Sequence, residues 1–197
     1  MKILLILYPI KPYMDELIGE EKLPKEKEKI YKFYQTLIRK RYPDFQKVFI
    51  LFSDKSNLTS PDISQLPKGF NFQDGDIIKA SGITFYDHYK NHLYPKQSDL
   101  LALCPRLMDK LIVGGFHLWD CVNKFAKYAY HSGIDVLIDE DLTEIFFDLV
   151  RKFKNRQIPI DKEKSLELIR KELYKLDDVY IERAHKERAN KPWFVQI

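Results

Sequence analysis

The stretch LIVGGFHLWDCVNKFAKYAYHSGIDVLIDEDL, Leu111 to Leu142, decides how the chain is read. An apolar run at Leu111–Val113 gives way to a loop, Gly114–Asp120, whose glycine pair lets the backbone turn sharply. From about Cys121 to Ser132 the apolar residues Val122, Phe125, Ala126 and Ala129 share one helical face, and Gly133 is placed to end that helix. The apolar run Asp135–Ile138 follows at once. The order is strand, loop, helix, strand, with Cys121 where the loop becomes the helix.

The same grammar extends outward. Further apolar runs at Ile3–Tyr8, Val48–Phe52 and Asp76–Lys79 alternate with helical patterns, the first of which carries Ile30, Phe33, Tyr34, Leu37 and Ile38 at helical spacing. Asp141 and Glu144 have capping-box spacing ahead of Ile145, Phe146, Leu149, Val150 and Phe153, and a last helix is expected over Lys162 to Leu176. Near-continuous apolar strands separated by helices indicate a parallel sheet covered on both faces. The expectation is one α/β domain over residues 1–197, a three-layer αβα fold with a mostly parallel, Rossmann-like sheet of five to six strands, DVYIE (Asp178–Glu182) being the sixth, edge strand. The weakly patterned segment Ser53–Gly75 reads as a long loop, and long loops in compact domains are often functional.

Composition narrows the class. In 197 residues there are two cysteines, Cys104 and Cys121, too few for a disulfide framework, which points to a reducing, cytoplasmic setting. The run ILLILY is too short for a membrane span and lacks the flanks of a signal peptide. The net charge of +4 arises from interleaved basic and acidic residues, as in GEEKLPKEKEK and RAHKERANK, which describes a solvated surface better than a nucleic-acid footprint.

In an open α/β sheet, ligands bind outside the carboxyl ends of the strands, and the loop ending at Cys121 lies there. A helix start offers free N–H groups and partial positive charge, which favour a thiolate and can hold an oxyanion. Against this stands the ordinary fate of a free cysteine, burial as a small apolar residue.

A further pattern bears on that choice. Gly115, Cys121-Val122, Phe125-Ala126, Ala129, Gly133, the strand Val136–Ile138 and the acidic pair Glu140-Asp141 resemble, without insertion or deletion, the nucleophile segment of the isochorismatase-like cysteine hydrolases. That superfamily holds nicotinamidases, isochorismatases and N-carbamoyl amidohydrolases. Upstream, QDGDIIKASGITF resembles the strand carrying the family's catalytic lysine, with Lys79 at the lysine position and Phe85 near the expected Phe. The resemblance implies an isochorismatase-like fold, Cys121 as nucleophile, Lys79 as charge stabiliser, a cis Phe116–His117 bond, and an oxyanion hole from the N–H groups of His117 and Cys121.

The chain departs from the pattern in three places. Tyr8 stands where the family has the Asp that acts as base, and a neutral phenol is a poor substitute for a carboxylate. The run SDKSNLTS supplies no histidine directly after Asp54, so the family's metal motif is absent, and neither a metal nor another cofactor is expected. His88 and His92, four apart, would share a helical face but make a weak ligand set. The third departure is His117, bulky where a small residue is usual; it could serve as a substitute base, or with Phe116 and Trp119 fill the substrate pocket. Asp120 reads as a helix N-cap.

Two functions follow as expectations. One is a divergent cysteine hydrolase acting on a small amide or related C–N substrate through Cys121 with Lys79, Tyr8 and His117 around it and Phe85, Phe116 and Trp119 against the substrate. The alternative is a catalytically inactive relative that binds a small molecule or a protein. Neither a nucleic acid nor a membrane is an expected partner. The apolar ending PWFVQI either packs on a second copy, as the family's oligomers imply, or covers its own sheet edge.

Overall fold

A computed structural model describes residues 1–19, 22–152, 159–172, 186 and 188–194. Five parallel strands form one sheet in the order β3-β2-β1-β4-β5: β1 Lys2–Leu7, β2 Gln46–Leu51, β3 Ile77–Ala80, β4 Lys110–Gly115 and β5 Val136–Ile138. β1 is central, and Ile3 to Leu7 have no exposed surface, as a strand covered on both faces requires. The helices are α1 Lys11–Ile18, α2 Pro24–Arg41, α3 Phe85–Asn91, α4 Gln97–Ala102, α5 Asn123–His131, α6 Glu144–Lys152 and α7 Lys162–Glu172. α1 packs on α6 and α4 on α5. The three-layer α/β architecture read from the sequence is the one adopted.

α2 shows how the pattern makes the element. Pro24 supplies the fixed φ of a first helical residue, the Glu26 carboxylate accepts from the Leu23 N–H at 3.1 Å, and Arg39, Lys40 and Arg41 complement the dipole at the far end. Tyr31, Tyr34, Leu37 and Ile38 are buried, while Ile30 and Phe33 pack from the margin. α1, α3 and α4 were not foreseen, because six to eight residues give too few periodic positions for a helical pattern.

Several boundaries move, each for a physical reason. The glycine pair lies inside β4, with Gly114 beside Ile6 and Gly115 beside Leu7. A Cβ on Gly115, whose φ is +106°, would sit 2.0 Å from the Leu7 carbonyl oxygen, and one on Gly114 2.8 Å from Cβ of Leu142. Close packing of backbones therefore demands these glycines. The α5 helix starts at Asn123; before it, Leu118–Val122 form a wide π-type turn in which the Val122 N–H reaches the His117 carbonyl at 3.0 Å. Asp120 caps neither element, its carboxylate being held by side chains. α6 begins at Glu144, three residues past the expected start, because Asp141 is engaged by Arg41 and Ser165.

The expected DVYIE strand, Phe153 and the end of the last helix lie outside the described residues. Within the carboxyl-terminal ending, Trp193 and Phe194 are buried, and the Ile138 N–H donates to the Trp193 carbonyl at 2.7 Å, so this part covers the β5 edge of its own sheet. No described helix is long and apolar enough to cross a membrane.

Candidate active site

The strand order reverses direction between β1 and β4, and at the carboxyl ends of these two neighbours stand Tyr8 and the loop Phe116–Cys121. A third element completes the cluster. α3, which follows β3, is opened by Thr84, whose hydroxyl accepts from the Asp87 N–H at 3.1 Å, and closed by His92 in the left-handed conformation, φ +52°. That reversal brings the Leu93 carbonyl to Nδ1 of His88 at 2.9 Å. Since Nδ1–H must donate to a carbonyl, it is Nε2 that carries the lone pair whenever the ring is neutral. Nε2 faces Cys121 Sγ at 4.0 Å.

Asp120 Oδ2 lies 3.9 Å from the same sulfur. Its carboxylate accepts from the Tyr94 hydroxyl at 2.8 Å and pairs with Lys124 Nζ at 2.5 Å, and against partial burial these two bonds hold it below the usual carboxylate range. Lys124 also stands over the Tyr94 ring, 3.8 Å from its centre. Cys121 is 4% exposed, and burial, reinforced by the Asp120 charge, pushes its thiol up to about 12. Lys124 and a main-chain hydrogen bond from His117 act in the opposite sense. The sulfur thus rests as a thiol facing Nε2 of the His88 ring.

Tyr8 takes φ +50° and lays its ring on Phe52, centres 4.1 Å apart and planes 9° off parallel. Its hydroxyl is fully buried with no hydrogen-bond partner among the described residues, and burial, then the neighbouring Cys121, push its ionisation well above the ordinary phenol range. The nearby Ser81 hydroxyl donates instead to the Ile83 carbonyl, at 3.3 Å.

The remaining residues anticipated from the sequence are dispersed around this centre. The Phe116–His117 peptide bond is cis, as the resemblance implied. The His117 ring stands edge-on to Tyr13, centres 4.5 Å apart, and burial lowers its basicity. Phe116 is core, against Tyr34 and Phe147, and Trp119 stacks on Phe194 at 5.4 Å. Lys79 is exposed on edge strand β3, opposite Ile50, and the charges acting on the thiol are those of Asp120 and Lys124.

A cavity of about 610 Å³ is lined by Ser53, Asp54, Ser64, Thr84 and Tyr89 as well as Phe85. The loop after β2, singled out for its weak pattern, supplies much of that wall. Phe85 lines the cavity and packs on Phe52 and Tyr13, and Phe52 packs on His88, so the cavity wall and the imidazole share one aromatic cluster.

Sequence reasoning missed Tyr94 and Lys124 and weighed His88 only with His92, as a weak ligand pair. The signal for His88 was present: Thr84 and Asp87 have capping-box spacing, which starts a helix and turns His88 inward.

No family model matches the chain, and no curated protein matches it. Among solved structures, the chain is similar to an isochorismatase from Pseudomonas putida KT2440, with 20% identity, 72% of this chain and 70% of that one covered and a TM-score of 0.44. A cysteine hydrolase from Pseudomonas syringae pv. phaseolicola 1448A gives 14%, 70%, 69% and 0.41. A pyrazinamidase of Pyrococcus horikoshii in complex with zinc gives 13%, 100%, 99% and 0.46. In architecture the chain is similar to solved structures of the isochorismatase and cysteine-hydrolase kind, a likeness of fold alone.

Proposed function

We propose that the protein is a cysteine hydrolase of small amides or related C–N compounds, with Cys121 as nucleophile and His88 as general base. The observation that carries this reading is the Cys121–His88 pair, Sγ and Nε2 4.0 Å apart with the imidazole held by the Leu93 carbonyl. Nucleophile, base and orienting acceptor form the three-part arrangement that activates a weak nucleophile.

In this reading Sγ attacks the substrate carbonyl as its proton passes to His88 Nε2, so a preformed thiolate is not required. The resulting oxyanion is held by the main-chain N–H groups of His117 and Cys121. The imidazolium then protonates the leaving nitrogen as the C–N bond breaks, leaving a thioester on Cys121. Water, giving a proton to His88, attacks the thioester; C–S cleavage returns the proton to sulfur and frees the acid. Lys79, assigned to charge stabilisation by resemblance, keeps that assignment only if its replacement slows turnover.

The test is turnover of a panel of small primary amides and N-carbamoyl compounds. Cys121→Ser is expected to abolish it, and His88→Ala to slow it by about 10²–10⁴-fold. A wild type no faster than Cys121→Ser would overturn the reading. It would favour instead a binding protein without catalysis, which the 4% exposure of Cys121 and its elevated thiol support.

A further inference from the structure

Three groups of different chemistry converge at this point. The sulfur of Cys121, Nε2 of His88 and a carboxylate oxygen of Asp120 all lie within 4.8 Å of one another, with the closest approaches to sulfur at 4.0 and 3.9 Å. In a tetrahedral site, zinc–sulfur and zinc–nitrogen bonds of about 2.3 and 2.0 Å put the ligand atoms roughly 3.5 Å apart. To close such a site the two approaches to sulfur must shorten by about half an ångström and the His88–Asp120 separation, at most 4.8 Å, by up to about 1.3 Å. The supporting groups are already in place: Nδ1 of His88 donates to the Leu93 carbonyl, one of the usual outer partners of a ligating histidine, and of the Asp120 oxygens Oδ1 is held by Lys124 and Oδ2 accepts from Tyr94.

We infer that Cys121, His88 and Asp120 form a binding site for a zinc-like transition metal ion, which silences the thiol by occupying both the nucleophile and its base. A thiolate and an imidazole select a borderline-soft ion over magnesium or calcium, and three protein ligands leave a fourth position for water or a small anion. Binding releases the thiol proton to solvent and forms the metal–sulfur bond. Asp120 then has a role that hydrolysis does not give it, since as a neighbouring anion it opposes formation of a free thiolate but would neutralise a bound cation. The inference shares the Cys121–His88 geometry with the proposed function but not its chemistry.

The experiment is calorimetric titration of the chelator-treated full chain with Zn²⁺, joined to Co²⁺ titration read by sulfur-to-cobalt charge-transfer absorption. One equivalent is expected, with the absorption lost in Cys121→Ser. Affinity should fall in His88→Ala and Asp120→Asn by at least the roughly tenfold that loss of a mere supporting group causes. Cys104→Ala, remote from the cluster, should bind as the wild type does. Absence of binding by the wild type, or undiminished binding in Cys121→Ser, overturns the inference. Failure of the hydrolase reading would appear separately, as absent turnover by metal-free protein that still binds Zn²⁺.

Discussion

Two buried polar clusters occupy the carboxyl ends of adjacent strands, one after β4 and one after β5, and they are finished to different degrees. After β5, Asp139 and Asp141 have no exposed surface, yet Arg41 bonds both and also donates to the carbonyls of Pro159 and Ile160, Tyr42 donates to Asp139, and Ser165 donates to Asp141. Although burial alone would raise both acids, Lys162, Asp141 and Arg41 hold Asp139 well below the usual range, while burial and the Asp139 charge raise Asp141. At the ends of β1 and β4, the Tyr8 hydroxyl has no hydrogen-bond partner among the described residues, and the side chains of His88 and Asp120 approach the Cys121 thiol no closer than 4.0 and 3.9 Å. A cluster that exists for the fold closes its hydrogen bonds; one that leaves them open has capacity for a reaction or a ligand.

The largest expected effect breaks the closed cluster. Arg41→Met removes the cation that bonds both buried carboxyls, leaving Lys162 near Asp139, and should cost about 3–5 kcal/mol in denaturant unfolding, the scale for a broken buried pair. A loss below about 1 kcal/mol would mean that the acids are neutral in the folded state and that the contrast between the clusters is smaller than their geometry suggests.

Next comes pH. Burial pushes the Cys104 thiol up to about 12, and burial with the Asp120 charge does the same for Cys121. An unfolded thiol titrates near 8.5. Below that pH both states hold the proton and the contribution is fully present; as pH rises from there towards 12, the unfolded chain sheds protons that the folded chain retains, and stability falls. Each thiol contributes a slope of at most about 1.4 kcal/mol per pH unit in that window. Cys104→Ala should therefore lose less stability than the wild type between pH 8 and pH 10, and equal losses would show that Cys104 ionises normally.

Phe85→Ala addresses the aromatic cluster shared by the cavity wall and His88. Opening it should speed iodoacetamide modification of Cys121, read by peptide mass, by roughly tenfold, equivalent to about 1.4 kcal/mol of local opening. An unchanged rate would place the route to the sulfur elsewhere.

How much of this was written in the sequence depends on how far apart the cooperating residues lie. The five strands and the α2 and α5 faces came from local periodicity, and the place of Cys121 from a segment whose spacing is unbroken from Gly115 to Asp141. The glycine pair was noticed but misread, because what forbids a side chain at Gly115 is the Leu7 backbone, over a hundred residues away. His88 was weighed only against His92, its neighbour in sequence. In the fold His92 serves to end α3, and the partner of His88 is Cys121, thirty-three positions on. Asp141 was assigned to a cap by its spacing from Glu144, which says nothing of Arg41 a hundred positions before it.

The smallest expected effect, that of Tyr8→Phe, is also the sharpest comparison, because the two clusters each contain a buried tyrosine. Tyr42 donates to Asp139, so Tyr42→Phe removes a hydrogen bond to a charged group and should cost about 1.5–3 kcal/mol. Tyr8 stacks on Phe52 with a hydroxyl that has no partner among the described residues, so Tyr8→Phe keeps the ring contact and removes only a desolvated polar atom. Replacing an unsatisfied group by an apolar one of the same shape is neutral or stabilising, here by up to about 1 kcal/mol. A destabilised Tyr8→Phe would show that the hydroxyl is satisfied in solution and would remove the asymmetry between the clusters. If the variant is stabilised but its turnover falls, the hydroxyl has been kept at a cost to the fold, and Tyr8 belongs to the chemistry of Cys121. If it is stabilised and turnover is unchanged, the phenol only fills space beside Phe52, and the proton is left to His88.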